Sequence, residues 1–203
     1  MAPKLLIATS NQGKLREFRT LAPEGVELVS LVDLGLPSPE ETGATFIENA
    51  DLKALAAASA SGLLALADDS GLEVDTLKGA PGVHSARFAG EPVSDSRNID
   101  KLLVMLGSKN AADRSARFRC AVSVASPAGI LARADGCCEG SIGYEPRGSH
   151  GFGYDPIFVL PDGRTMAELP PDEKNLISHR AKAIAAIGPA LHAILENLRT
   201  SAR

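Results

Sequence analysis

Two adjacent carboxylates, Asp68 and Asp69, are the residues with the clearest chemical potential in this chain. They follow an apolar run at residues 63–67, which predicts a strand buried on both faces, and they precede Ser70 and Gly71. The acids would stand at the end of that strand, where ligands bind in open α/β sheets. Adjacent ionised carboxylates repel each other and need a cation, hydrogen bonds or water. Mg²⁺ would fit, because it prefers oxygen ligands together with substrate phosphates, and the alternative is an ordinary polar turn.

A polar loop between a predicted strand and a predicted helix is the second candidate site. Residues 4–8 predict a short strand, and the apolar spacing within residues 15–21 predicts a helix. A helix start presents free N–H groups and partial positive charge, and Lys14 adds a full charge, so the loop is suited to phosphate. It is not a Walker A sequence, because it has one glycine and no Ser or Thr after Lys14. The alternative is an ordinary turn capped by Thr9 or Asn11. The loop consists of Thr9, Ser10, Asn11, Gln12, Gly13 and Lys14.

A glycine-rich segment at residues 148–156 is the third candidate site. Its glycines surround two aromatic residues, Phe152 and Tyr154, which are followed by Asp155. Glycines permit close approach of the backbone to a flat ligand, and aromatic rings stack on a base. The alternative is a loop whose rings fill the core.

Three cationic side chains, Lys174, His179 and Arg180, gather where a long helical run begins. Cations at the start of a helix are unfavourable for the helix itself, so their placement favours an anionic ligand. Pro189 lies within the run and is expected to kink or restart the helix.

A further helix is predicted from the capping box that Thr45 forms with Glu48, and Gly62 would end it. Lys53 lies on this helix and taken alone is expected to be a solvated lysine. Glu40 and Glu41 precede it and are expected to face solvent, unless their loop folds toward Asp69. The remaining segments include a half-exposed strand at residues 72–77, a turn-rich loop at 79–88, a helix at 94–106 and a β-hairpin at 118–133. The hairpin makes the sheet mixed.

The composition excludes several protein classes. The chain has 203 residues, 44% of them apolar and 23% charged, with a net charge of −4, and this balance lacks the basic footprint of a nucleic-acid-binding protein. Its three cysteines are odd in number, two of them adjacent, which indicates neither a disulfide framework nor a CxxC metal site. No apolar stretch approaches the length of a membrane span or a signal peptide. We therefore expect a soluble, cytoplasmic protein with no nucleic-acid or membrane partner.

Seven segments, in their order along the chain, resemble the inosine/xanthosine triphosphate pyrophosphatase family, and the bacterial branch is the more similar. The resemblance runs from about residue 4 to about residue 195. One departure is Ser10, where bacterial members often have glycine; Asn11 and Lys14 remain in place. The matching segments are residues 9–14, 45–50, 67–72, 79–82, 85–88, 152–156 and 178–180.

The resemblance implies a fold and an activity. The fold is α/β, an elongated mixed β-sheet flanked by helices, with two lobes and a central nucleotide cleft, formed by residues 1–203 as a single domain. The enzyme would be a cytosolic homodimer that depends on Mg²⁺. It would hydrolyse ITP, dITP or XTP to the monophosphate and pyrophosphate.

The resemblance also implies roles for individual residues. Asp69 would be the catalytic carboxylate and a metal ligand, with Glu40 or Glu41 as the second acid. The loop from Thr9 to Lys14 would hold the triphosphate. The residues implied to contact substrate are Thr9, Ser10, Asn11, Gln12, Gly13, Lys14, Lys53, Ser70, Phe152, Gly153, Tyr154, Asp155, Lys174, His179 and Arg180.

The residue types are consistent with this chemistry, and they leave open whether Asp69 or Asp68 activates the attacking water. Lys14 and Lys53 would offset negative charge on the phosphates, and a water activated by Asp69 or Asp68 would attack the α-phosphorus. His179, Arg180 and backbone amides near residues 152–155 would select a 6-oxo purine.

Three alternatives remain. One is the related septum-protein type of nucleotide pyrophosphatase, another is a nucleotide-binding module without turnover, and the third is a phosphatase with an aspartyl nucleophile, which would release orthophosphate.

Overall fold

The computed structural model describes residues 3–21 and 25–201. The α-helices in this part of the chain are α1 (Gln12–Leu21), α2 (Phe46–Ser61), α3 (Asp95–Leu106), α4 (Pro171–Ile177) and α5 (His179–Ser201). The strands are β1 (Lys4–Ile7), β2 (Glu27–Ser30), β3 (Leu64–Val74), β4 (Ser115–Ser126), β5 (Gly129–Ile142) and β6 (Phe158–Val159). Short 3₁₀ helices lie at Asp75–Leu77, Gly82–Arg87, Ala111–Arg114, Asp155–Ile157 and Met166–Glu168.

The six strands form one mixed sheet in the order β2-β1-β3-β4-β5-β6. β1 is parallel to both β2 and β3. β4 and β5 are neighbours joined by residues 127–128 alone, and so short a connection requires antiparallel strands. β5 and β6 are also antiparallel, with Ile142 opposite Phe158. The predicted hairpin and mixed α/β sheet are therefore confirmed.

The chain divides into two compact units. The first consists of residues 1–69, 120–136 and 180–203, and the second of residues 70–119 and 137–179. Strands β3, β4 and β5 each contribute residues to both units.

Helices cover both faces of the sheet in the first unit. Leu5 and Ile7 of β1 share one apolar cluster with Phe18 of α1 and Ile187 of α5. Leu6, which points to the opposite face because side chains alternate along a strand, belongs to a second cluster with alanines of α2. Burial on both faces explains the unbroken apolar run that precedes Asp68.

The second unit has a core of its own. Leu72 and Val74 of β3 pack in one cluster with Leu102 and Leu106 of α3, and Tyr154 belongs to the same cluster.

Two local predictions require correction. β3 does not end at Asp68 and Asp69 but continues through them to Val74, so the acids lie in mid-strand. The strand continues because Leu72 and Val74 are fully buried in the second core, which outweighs the turn preference of the Asp-Ser-Gly sequence. The strand predicted at residues 72–77 accordingly ends at Val74, and a 3₁₀ turn follows.

The helix after the cationic cluster is also continuous. α5 runs from His179 to Ser201 with Pro189 inside it. Ile187 and Leu191, on either side of the proline, are buried in the core of the first unit, and this packing holds the helix together across the missing N–H.

Helix capping follows the sequence prediction. The Thr45 hydroxyl accepts a hydrogen bond from the Glu48 N–H, the Glu48 carboxylate accepts one from the Thr45 N–H, and Gly62 ends α2 at φ +72°. α3 runs from Asp95 to Leu106 with Ser94 as its N-cap, as predicted.

No disulfide joins the three cysteines in the structure, which describes all of them. Among the residues that the structure describes, no helix combines the length and the apolar character needed to cross a membrane.

Candidate functional site

The loop before α1 is organised by its own side chains. The hydroxyl of Thr9 accepts a hydrogen bond from the N–H of Asn11 at 3.2 Å, and Oδ1 of Asn11 accepts one from the N–H of Lys14 at 3.0 Å. Asn11 therefore caps α1, and the strand-loop-helix layout of a phosphate-binding loop is present. Ser10, Asn11 and Gln12 are exposed, whereas Thr9 and Gly13 are buried.

Asp68 is a buried carboxylate held by two cations. Its Oδ2 lies 3.0 Å from Nζ of Lys14 and 2.8 Å from Nη2 of Arg180. Burial alone would raise the pKa of Asp68, but Lys14, Arg180 and Lys53 together outweigh it and hold the pKa far below its usual value. Its other oxygen, Oδ1, is buried and accepts no hydrogen bond from any residue that the structure describes.

Arg180 is fixed on both sides. Besides Asp68, its guanidinium pairs with the carboxylate of Glu17 on α1, and the residue is 1% exposed. Burial works against the charged form, yet these carboxylates raise the pKa of Arg180 above its usual value. The charged guanidinium thus joins α1 and α5 to the acid on β3.

Asp69 lies in a different electrostatic setting. Its Oδ2 accepts a hydrogen bond from the side-chain amide of Asn49 at 3.0 Å, and Oδ1 lies 3.3 Å from Nζ of Lys53. Burial raises the pKa of Asp69 above its usual value, because Lys53 and Lys14 offset only part of the desolvation and Glu41 adds to it. The two neighbouring acids therefore have pKa values shifted in opposite directions.

The expectation that Lys53 is a solvated lysine is wrong. It is 5% exposed, and its Nζ lies 2.6 Å from Oε1 of Glu41 as well as near Asp69. Burial alone would lower the pKa of Lys53, but Asp69, Asp68 and Glu41 raise it. Lys53 is thus a buried cation between two carboxylates.

The loop that carries Glu41 folds back onto α2. The N–H of Gly43 donates to Oδ1 of Asn49 at 2.7 Å, and a side chain at position 43 would meet Glu48 Cβ at 2.7 Å. Asn49 therefore ties this loop to Asp69. The expectation that Glu41 faces solvent is corrected by these contacts, whereas Glu40 is exposed as expected.

The acids of the first unit suit a hard divalent cation. Glu41 and Asp69 both contact Lys53, and their mutual repulsion contributes to the raised pKa of Asp69. The described residues contain no group of three or more His, Cys, Asp or Glu side chains that could hold a metal ion unaided. Mg²⁺ is commonly held by one or two carboxylates, with water and substrate phosphates completing its coordination, so this donor set fits it.

The glycine-rich loop of the second unit is fastened by Asp155. Oδ2 of Asp155 accepts a hydrogen bond from the N–H of Phe152 at 2.9 Å and lies 2.6 Å from Nζ of Lys174. Both Asp155 and Lys174 are buried, and Nζ of Lys174 lies 4.9 Å from the centroid of the Phe152 ring. The carboxylate thus fixes the loop and the lysine together.

The two aromatic residues of this loop differ in exposure. Tyr154 is 4% exposed within the second core, and its hydroxyl donates to the carbonyl of Ser85 at 2.9 Å. Phe152 is half-buried. Ser70 is half-buried on β3.

The predicted cationic cluster is divided between the two units. Lys174 pairs with Asp155 in the second, where His179 is buried and stacks on Phe118 at 4.8 Å between ring centroids. Arg180 pairs with Asp68 and Glu17 in the first.

Two residues of the site, Asn49 and Glu17, were not predicted from the sequence. Asn49 lies one turn from Lys53 on α2, and this spacing was the available signal for a shared function. Glu17 follows Lys14 by one turn of α1, but nothing in the local sequence indicates its partner Arg180.

Comparison with known proteins points to one family. The model of the Ham1 family matches residues 5–190. A dITP/XTP pyrophosphatase of Methylococcus capsulatus is 53% identical over 199 residues, which is 96% of this chain and 98% of that protein. The dITP/XTP pyrophosphatase of Bacillus subtilis is 50% identical over 191 residues, with 93% and 96% covered.

Solved structures of proteins with the same family or enzyme names are also similar to this chain. A HAM1 protein from Coxiella burnetii has a TM-score of 0.85 at 42% identity, with 94% of this chain and 99% of that chain covered. A nucleoside-triphosphatase, or dITP/XTP pyrophosphatase, from Mycobacterium abscessus has a TM-score of 0.73 at 45% identity, with 91% and 98% covered.

Proposed function

Since this chain belongs to the Ham1 family, we propose that it hydrolyses the non-standard purine nucleoside triphosphates ITP, dITP and XTP to the monophosphate and pyrophosphate. The proposal rests chiefly on one observation: the two adjacent acids on β3 have pKa values shifted in opposite directions. The negative charge of Asp68 is balanced by Lys14 and Arg180, whereas the pKa of Asp69, which lies beside Lys53, is raised. Two neighbouring carboxylates whose pKa values are driven apart are suited to different tasks in one reaction.

We assign the triphosphate to the first unit. The capped start of α1 offers N–H groups and Lys14 offers charge to the phosphates. Residues 9–14 and Lys53 form this binding set. Asp69 and Glu41 would hold Mg²⁺, and Glu41 is preferred to Glu40 because it contacts Lys53. When bound, Mg²⁺ neutralises phosphate charge and orients the phosphates.

Asp69 is the better of the two acids to accept a proton. Asp68 is locked as a carboxylate by two cations, which makes it a weak base, while the raised pKa of Asp69 brings it closer to neutral pH. Water attacks the α-phosphorus and passes a proton to Asp69. The bond from the α-phosphorus to the bridging oxygen breaks, and pyrophosphate leaves.

We assign the purine base to the second unit. The half-buried Phe152 is suited to stack on the base. Lys174 lies on α4, which precedes α5, and His179 is the first residue of α5. Gly153, Tyr154 and Asp155 hold the loop in shape, and Ser70 contacts the substrate. A site that donates to a 6-oxo group leaves its donor unpaired opposite the amino group of adenine, and this penalty selects against ATP.

We also propose that the chain acts as one catalytic domain over residues 1–203 and as a cytoplasmic homodimer, which the resemblance to the bacterial branch supports. Light scattering on the purified protein tests the dimer.

Pyrophosphate release from a panel of nucleoside triphosphates, with and without Mg²⁺, tests the function. We expect release from ITP, dITP and XTP with Mg²⁺, little from ATP, and none with chelator. Orthophosphate as the product would indicate a phosphatase, a preference for modified pyrimidine or methylated nucleotides would indicate the septum-protein type, and tight ITP binding without turnover would indicate a binding module.

A further inference from the structure

Asp95, the first residue of α3, contacts the glycine-rich loop of the second unit. Its Oδ2 accepts a hydrogen bond from the N–H of Gly153 at 2.7 Å. Asp95 lies 58 residues before Gly153 and in none of the seven motif segments named in the sequence analysis. Its carboxylate also contributes, after burial, to the raised pKa of Tyr154, so its charge acts within the same loop.

The glycines of the loop leave its backbone conformation weakly determined by the sequence. Gly151 and Gly153 both adopt positive φ, at +79° and +61°, and glycine reaches many other backbone conformations almost as easily. Asp155 fastens the N–H of Phe152. Asp95 fastens the next N–H, that of Gly153. Two successive N–H groups of the loop are thus bound by two carboxylates.

The same helix fastens a second segment. The side chain of Asn98 donates to the carbonyl of Ala86 at 2.9 Å and accepts from the N–H of Ala89 at 2.7 Å. In the same segment, the carbonyl of Ser85 accepts a hydrogen bond from the hydroxyl of Tyr154. α3 therefore provides a common support for both segments, and the contact of Asp95 belongs to this support.

We propose that Asp95 is a positioning residue, which holds the Gly151–Asp155 loop in the conformation that binds the purine base. This inference rests on the proposed function, because it concerns the assigned base site. Asp95 does not touch substrate; it acts through the N–H of Gly153. Its loss weakens binding of the base and leaves the triphosphate end unaffected, since that end is bound by residues of the first unit.

The alternative is that Asp95 only stabilises α3, because a carboxylate in the first turn stabilises the start of a helix. Asp95→Asn separates the two accounts. Asparagine loses the charge but keeps an oxygen that can accept from Gly153, whereas Asp95→Ala loses both. Asp100→Ala is the matched control, since Asp100 is an exposed acid of α3.

The experiment measures kcat and KM for pyrophosphate release from ITP with Mg²⁺, and the inhibition constant of tripolyphosphate, which has phosphates but no base. For Asp95→Ala we expect KM for ITP to rise about tenfold, the effect of losing one hydrogen bond to a charged group. We expect kcat and the tripolyphosphate constant to change less than about twofold. Asp95→Asn and Asp100→Ala should stay close to wild type.

Hydrogen exchange of the Gly153 amide, measured without nucleotide, gives a readout that does not depend on turnover. Exchange should be faster in Asp95→Ala than in the wild type and Asp95→Asn. Wild-type KM in Asp95→Ala, an equal rise for ITP and tripolyphosphate, or unchanged exchange at Gly153 would each overturn the inference. A wild-type protein that releases no pyrophosphate would overturn the proposed function instead, and the exchange measurement would still decide whether Asp95 fixes Gly153.

Discussion

The ammonium of Lys53 lies 2.6 Å from Oε1 of Glu41, a residue 12 positions earlier in the chain. The contact brings the loop before α2 to the acid on β3, because Lys53 also contacts Asp69. It therefore distinguishes Glu41 from its neighbour Glu40, which is exposed.

Glu41→Gln should weaken the binding of Mg²⁺, whereas Glu40→Gln should not. The amide removes one anionic oxygen ligand, and we expect the Mg²⁺ concentration for half-maximal pyrophosphate release to rise about tenfold or more. Titration of Mg²⁺ at saturating ITP measures this, and Glu40→Gln is the matched control. Equal effects of the two variants would contradict the assignment of Glu41.

Asp69→Asn should bind ITP but lose turnover. The amide can still accept a hydrogen bond from Asn49, yet it cannot accept a proton at neutral pH. We expect kcat to fall about a thousandfold, as for the loss of a general base. Single-turnover pyrophosphate release and ITP binding by calorimetry separate the two effects. Asp100→Asn, at an exposed position of α3, should match the wild type, and near-normal turnover of Asp69→Asn would remove this residue from its role.

Local signals in the sequence predicted local structure. The capping box of Thr45 and Glu48 involves residues three positions apart, so their spacing alone indicated the start of α2. The strand end at Asp69 was mispredicted, because turn preference is local while the burial of Leu72 depends on distant parts of the chain. Local preference yields to tertiary packing where the two conflict.

The residues whose environment was mispredicted from the sequence are those whose partners lie far away along the chain. Helical spacing placed Lys53 on a face of α2, but spacing does not reveal whether a face is buried. Its partners Glu41 and Asp69 lie 12 and 16 residues away. The pair formed by Glu17 and Arg180 spans 163 residues, and no local pattern carries such information.

Asp68→Asn should destabilise the fold more than it alters any single binding step. It would leave Lys14 and Arg180 buried or nearly so beside a neutral group, and removing one partner of a buried ion pair costs about 3 kcal/mol or more. Urea denaturation measures the free energy of unfolding. The matched control is Asp100→Asn, and a loss below about 1 kcal/mol in Asp68→Asn, the range of a surface ion pair, would contradict the role of Asp68 as the buried counter-ion.

Gly151→Ala and Gly153→Ala should differ in their effect on the base site, although both glycines adopt positive φ. The backbone strain of either substitution costs about 1 kcal/mol of stability, which thermal or urea unfolding will register. A methyl group at Gly153 meets nothing within 4 Å, whereas at Gly151 it would lie 2.0 Å from Oδ2 of Asp155. That oxygen binds the N–H of Phe152 and Nζ of Lys174, so only Gly151→Ala displaces the carboxylate that fastens the loop.

The difference between the two glycine variants is measured as KM for ITP. We expect a rise of about tenfold in Gly151→Ala and little change in Gly153→Ala, because the first breaks charge-assisted hydrogen bonds and the second only strains the backbone. Since Gly153→Ala carries the same kind of backbone strain, it controls for general loosening of the loop. Equal KM values in the two variants would mean that the position of the Asp155 carboxylate does not govern binding of the base.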